Sequence, residues 1–127
     1  MYAKLPDEPT IYFDVDDTLV LWNCPPEEGE EYQVVQYKAN RIKVVPHNPH
    51  IELLKQYYNE NKKIVVWSQG GADWAEAVVL HLGLENYVHA IMSKPTEYVD
   101  DLHSHYFMDK PTWLNPKRKN WDVSQGL

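Results

Sequence analysis

The chain has 127 residues and a formal charge of −7, with 43% apolar and 24% charged residues. These figures describe one globular domain, residues 1–127, with a single core. The acid excess argues against an extended nucleic-acid-binding face, and no run of about 18 apolar residues is present to span a membrane. Cys24 is the only cysteine, which excludes an internal disulfide and a thiolate-rich zinc site and suits a reducing, cytoplasmic setting.

The opening stretch "MYAKLPDEPT" has one lysine and no apolar run, so it does not read as a secretory signal. Thr10–Phe13 reads as a short buried strand that runs straight into three acids, Asp14, Asp16 and Asp17. "NCPPEEGEE", residues 23–31, is a Pro/Gly/Glu loop. "YQVVQYKANRIKVV" then predicts a β-hairpin turning at Ala39-Asn40, with Tyr37 opposite Ile42, Val35 opposite Val44 and Lys38 opposite Arg41. Asn48 followed by Pro49 predicts a capped helix start, and Ile51, Leu54, Tyr57 and Tyr58 share one face of that helix.

"KIVVW", Lys63–Trp67, is a nearly continuous apolar run of the kind covered on both faces of a parallel sheet. Trp74, Val78 and Leu82 mark a second amphipathic helix, with Gly83 placed to end it. "YVHAIM", Tyr87–Met92, predicts a third strand and "EYV", Glu97–Val99, a short fourth. The tail, roughly residues 109–127, is rich in proline and charge and predicts no regular element. This order is that of an α/β domain. It predicts a Rossmann-like open parallel sheet flanked by helices, with a small β-hairpin flap, roughly residues 22–46, after the first strand.

Ligands of an open α/β sheet bind beyond the carboxyl ends of its strands. Asp14, Asp16 and Thr18 follow the first strand, and Ser68 follows "KIVVW" with Gln69-Gly70-Gly71 behind it. Ser93 and Lys94 follow "YVHAIM", and Asp100-Asp101 follow "EYV". Acids, a hydroxyl and a lysine on one edge suit a divalent cation together with a phosphoryl group, since Mg²⁺ takes hard oxygen ligands and offsets the repulsion between the acids.

Asp14-Val15-Asp16-Asp17-Thr18 after an apolar strand resembles the DxDxT signature of the haloacid dehalogenase-like (HAD) phosphohydrolases. Ser68, Lys94 (before Pro95) and Asp100-Asp101 resemble the second, third and fourth motifs of that superfamily, so the likeness covers roughly residues 10–101. It implies a phosphatase that hydrolyses a phosphomonoester through an aspartyl-phosphate on Asp14, with Asp16 as general acid and base. It further implies that Ser68 and Lys94 bind the phosphoryl oxygens, that Thr18 orders the turn at the edge of the substrate site, and that Asp14, Asp16, Asp100 and Asp101 supply the Mg²⁺ ligands. Within the acid pair Asp100 is the expected direct ligand. Residues 22–46 and 69–93 leave room only for a capless or minimally capped enzyme.

The expected partner is a phosphorylated small molecule, a nucleotide or sugar phosphate stacked on an aromatic such as Trp22 or a flap tyrosine. A nucleic-acid or protein end is the other reading. The same residues also suit a phosphotransferase, or a metal- and phosphate-binding module without turnover. His103 and His105 read as surface histidines because no third soft ligand accompanies them. Lys117-Arg118-Lys119 reads as a solvated charge run. Asp17 has no role in the signature.

Overall fold

The computed structural model describes residues 9–114. Residues 1–8 and the Lys117-Arg118-Lys119 run lie outside the described residues. The first apolar run forms β1, Thr10–Asp14, so the strand ends on the first acid itself. A two-residue strand β2, Val20–Leu21, follows the acid loop, and the hairpin consists of β3, Gln33–Tyr37, and β4, Asn40–Pro46. Helix α1 is Asn48–Asn59, β5 is Lys63–Ser68, α2 is Ala72–His81 and β6 is Ala90–Ser93. Short 3₁₀ turns occupy Glu85–Tyr87 and Ser104–Tyr106.

The strands form two small sheets. β1, β5 and β6 make a parallel sheet with β5 in the middle, and β2, β4 and β3 make an antiparallel one with β4 in the middle. The architecture is therefore α/β, with a three-stranded parallel sheet, a small antiparallel sheet and two α-helices among the described residues. None of these helices is long and apolar enough to cross a membrane.

Side-chain alternation decides which face of the parallel sheet is the core face. Phe13 lies beside Val66 in register and both are buried, as is Ile64. Ile51 and Leu54 of α1 and Trp74, Val78 and Val79 of α2 join the same cluster, together with Val35 and Val44 of the hairpin. Each such aliphatic side chain contributes about 1.5–3 kcal/mol when fully buried, so this shared cluster is the main bond between the layers. On the other face Val65 of the central strand is buried, as its apolar run predicts, while Tyr12 and Met92 on the flanking strands are 42% and 38% exposed. Tyr12 shields Trp67 by ring contact at 4.4 Å on that side.

Several local expectations are corrected. The hairpin pairs Val35 with Ile42 and Tyr37 with Asn40, so its turn is Lys38-Ala39, one residue earlier than predicted. Lys38 takes φ +55° to make that turn, and Gln36 rather than Lys38 stands opposite Arg41. The predicted inward face survives, because the shift moves each partner by two positions and side chains alternate with period two. Helix α1 begins one residue sooner than expected: Asn48 is its first residue and His47 holds the cap position. Tyr58 turns outward at 37% exposure. The third strand shortens to Ala90–Ser93 because Glu85–Tyr87 makes a 3₁₀ turn, and "EYV" forms no strand.

Candidate active site

The acid loop is closed by its own backbone. The Val15 carbonyl accepts the amides of Thr18, Leu19 and Val20, and the Asp17 amide donates to the Val20 carbonyl at 2.6 Å. Asp17 sits at φ +60°, a left-handed conformation that aspartate tolerates better than most residues. Its carboxylate accepts the Trp22 backbone N–H at 3.1 Å. The third acid of the loop is thereby explained: it makes the sharp turn between β1 and β2 and ties down the start of the flap.

Asp14, the last residue of β1, has both oxygens engaged. The Lys94 ammonium lies 3.1 Å from Oδ1, and the Thr18 hydroxyl donates to Oδ2 at 3.0 Å. Lys94 is carried to this position by β6, and its own amide donates to the Ser68 carbonyl at 2.9 Å. Both members of the ion pair keep 29% of their side-chain surface in solvent, so the pair is partly screened and its main effect is positional. It holds a fixed positive charge beside the carboxylate at the sheet edge.

Asp16 is held more tightly. Trp22 and Trp74 both donate their indole N–H to Oδ1, at 2.7 and 2.9 Å. The Ser68 hydroxyl faces Oδ2 at 3.3 Å and accepts the Gly70 amide at 2.9 Å. Gly70 fits a close approach here: a Cβ would stand 3.1 Å from Trp74 Cδ1 and 3.3 Å from Ser68 Oγ, tight enough that one of them would have to shift. Gly71 is required by its backbone, φ +103° and ψ 162°, a region nearly exclusive to glycine, and it lets α2 start at once. Ser93 Oγ accepts the Ala72 amide at 3.0 Å, so β6 caps α2 in the place of a local side chain.

The structure thus brings together Asp14, Asp16, Thr18, Ser68 and Lys94. It does not bring Asp100 and Asp101 to them. Both are exposed, and Asp100 Oδ1 accepts the Leu102 amide two residues on, closing a local turn. Among the described residues no group of three or more His, Cys, Asp or Glu side chains is assembled to hold a metal ion. The donor chemistry at the strand end suits a hard divalent cation, being all oxygen and acidic. His103 and His105 are exposed, with their rings stacked 5.6 Å apart.

Sequence reasoning missed a second layer beneath the loop. His47 and His50 are 0% and 2% exposed and approach each other through their Nδ1 atoms at 3.0 Å. His50 Nε2 accepts the Leu114 amide at 2.9 Å, so its ring proton is on Nδ1, where it donates to the Thr18 carbonyl at 2.8 Å. Burial lowers the His50 pKa from its ordinary value, and the bond to the Thr18 carbonyl opposes that only in part. Trp113 covers the pair, stacked on His47 at 5.6 Å and edge-on to His50 at 4.7 Å. One signal was readable: His50 precedes Leu54 by four positions and so falls on the buried face of α1.

Two surface pockets lie away from the acids. One of about 410 Å³ runs between Gly29–Glu31 and Asn48, and one of about 480 Å³ lies between the hairpin and α2. The acids themselves sit at an open edge. No protein-family model matches this chain, and no curated protein matches it.

Proposed function

We propose that the chain is a capless phosphohydrolase of the HAD superfamily, built on a Rossmann-like domain and acting on phosphomonoesters. The observation that supports this reading best is the meeting of the two signature acids with a lysine and a serine from two other strands. Lys94 lies 3.1 Å from Asp14, and Ser68 lies 3.3 Å from Asp16. Two acids, a lysine and a serine of the kinds that phosphoryl transfer uses stand together at one strand end.

In the proposed reaction an Asp14 oxygen attacks phosphorus, the ester P–O bond breaks, and the departing oxygen takes a proton from Asp16. Water then attacks the aspartyl-phosphate, Asp16 accepts its proton, and Asp14 and inorganic phosphate are released. Lys94 offsets the charge of the phosphoryl oxygens and Ser68 donates to one of them. Mg²⁺ is proposed as the cofactor, held by Asp14, the Asp16 backbone carbonyl and one of Asp100 and Asp101, where it supplies further charge neutralisation. The proposed substrates are small phosphorylated molecules.

Phosphate release from an aryl phosphate, with Mg²⁺ and with chelator, tests the reading. Asp14→Asn is expected to lower release by roughly a thousandfold or more, and undiminished activity in that variant would overturn Asp14 as nucleophile. Loss of the ester without free phosphate, with a phosphorylated acceptor in its place, would identify a transferase.

A further inference from the structure

Whatever leaves phosphorus in this reaction leaves beside Trp22. Asp16 protonates the departing oxygen, and Trp22 Nε1 is 2.7 Å from Asp16 Oδ1. The Trp22 backbone amide is anchored as well, on Asp17 Oδ1 at 3.1 Å. Behind it stands Trp74, its ring 5.9 Å away and tilted 56°, and Tyr37 meets Trp74 edge-on at 5.3 Å. Trp74 is 5% exposed and belongs to the core, whereas Trp22 keeps 39% of its surface in solvent. The Trp22 indole is therefore tethered by its N–H edge to Asp16, backed by a second indole and partly open to solvent.

We infer that Trp22 is a stacking face for an aromatic leaving group, and that the substrates are aryl phosphomonoesters. The inference rests on the phosphohydrolase reading and names its substrate class. Reach favours an aryl group over a sugar or a nucleoside. A ring bonded directly to the ester oxygen lies against the side chain hydrogen-bonded to Asp16, whereas the base of a nucleoside 5′-phosphate is several bonds farther away.

An indole N–H only donates, so the two indoles fill the lone pairs of Asp16 Oδ1, and Oδ2, which Ser68 also faces, is the oxygen left to exchange a proton. In the step itself the P–O(aryl) bond breaks with its electron pair on oxygen, the Asp16 Oδ2 proton moves to that oxygen, and the Asp14–P bond forms.

Calorimetric binding of phenylphosphonate and methylphosphonate, which have no ester to cleave, tests the stack apart from turnover. The wild-type chain is expected to bind the phenyl compound about three- to tenfold more tightly, the range of an aromatic pair. Trp22→Phe keeps that preference without the Asp16 bond. Trp22→Ala loses it, so that the two phosphonates bind alike. Equal affinity in the wild type, a preference that survives Trp22→Ala, or tighter binding of adenosine 5′-monophosphate would overturn the inference. Should Trp22→Ala lose its circular-dichroism spectrum, the wild-type indole N–H resonance absent from Trp22→Phe serves instead. It should shift with phenylphosphonate and not with methylphosphonate, and a resonance that stays still counts against the stack. Failure of the phosphohydrolase reading looks different: phenylphosphonate binds, yet no phosphate is released from phenyl phosphate.

Discussion

The two acid-bearing segments of this chain have the same kind of sequence and opposite fates. In the loop after β1, Asp14, Asp16 and Asp17 are each bound by named donors, and Asp16 alone is faced by three. In the stretch after β6, Asp100 and Asp101 are exposed, and the bond at Asp100 goes to its own turn. Large apolar side chains follow the same division: Leu19, Val20 and Leu21 are fully buried, while Val99, Tyr106 and Phe107 are exposed. The difference comes from neighbours. The first loop is clamped between β4, β5 and α2, whereas the second has no strand at Glu97–Val99 to carry it to the sheet. Acids are preorganised where donors from other elements surround them, and follow the solvent where none do.

That comparison can be broken at several points. The largest effect on folding is expected from Gly70→Ala, whose new methyl would press on Trp74 and Ser68 at 3.1 and 3.3 Å. It should cost about 1–3 kcal/mol in urea unfolding and lower activity with it, because both neighbours hold Asp16. Asp17→Ala comes next. It removes the acceptor for the Trp22 amide and leaves an alanine at φ +60°, a loss of about 1–2 kcal/mol. Asp17→Gly, which relieves the backbone but not the hydrogen bond, should recover part of it.

His50 sharpens the comparison through pH. Its folded-state pKa lies below the ordinary 6.5, so the unfolded chain binds a proton that the folded chain refuses. Its contribution is therefore complete above about pH 6.5 and is lost as the pH falls through the lowered value. Denaturation midpoints at pH 7.5 and 5.5 should differ less in His50→Gln than in the wild type, and an unchanged difference would count against this source. The smallest effect on stability belongs to Asp100→Ala and Asp101→Ala, each within about 0.5 kcal/mol, as for exposed residues with only local bonds. If one of them holds the cation, activity in that variant should need more Mg²⁺ while its unfolding curve stays put.

The period-two pattern of β3 and β4 was enough to choose the inward residues, Val35 and Tyr37 with Ile42 and Val44. It could not choose the register, since sliding one strand by two residues leaves both faces unchanged. "EYV" has strand-forming residues, but three of them without a paired neighbour do not make a strand. Trp22 was readable as an aromatic beside the site and Trp74 as a position on the apolar face of α2; that both indoles turn their N–H groups on one oxygen of Asp16 was not.

What the sequence by itself determined is the acid loop: a strand that ends on Asp14, and a turn closed by bonds spanning a few residues. Thr18 reaches Asp14 across four positions and Trp22 reaches Asp17 across five. What only the tertiary structure decided is which distant groups complete it. Ser68 and Trp74 come to Asp16 from 52 and 58 residues away, and the His50 ring reaches the Thr18 carbonyl from 32. Local spacing encodes the short bonds because chain geometry leaves few other arrangements. The long ones exist because β5, α1 and α2 bury their apolar faces in one cluster with β1, and that packing sets where their polar ends fall.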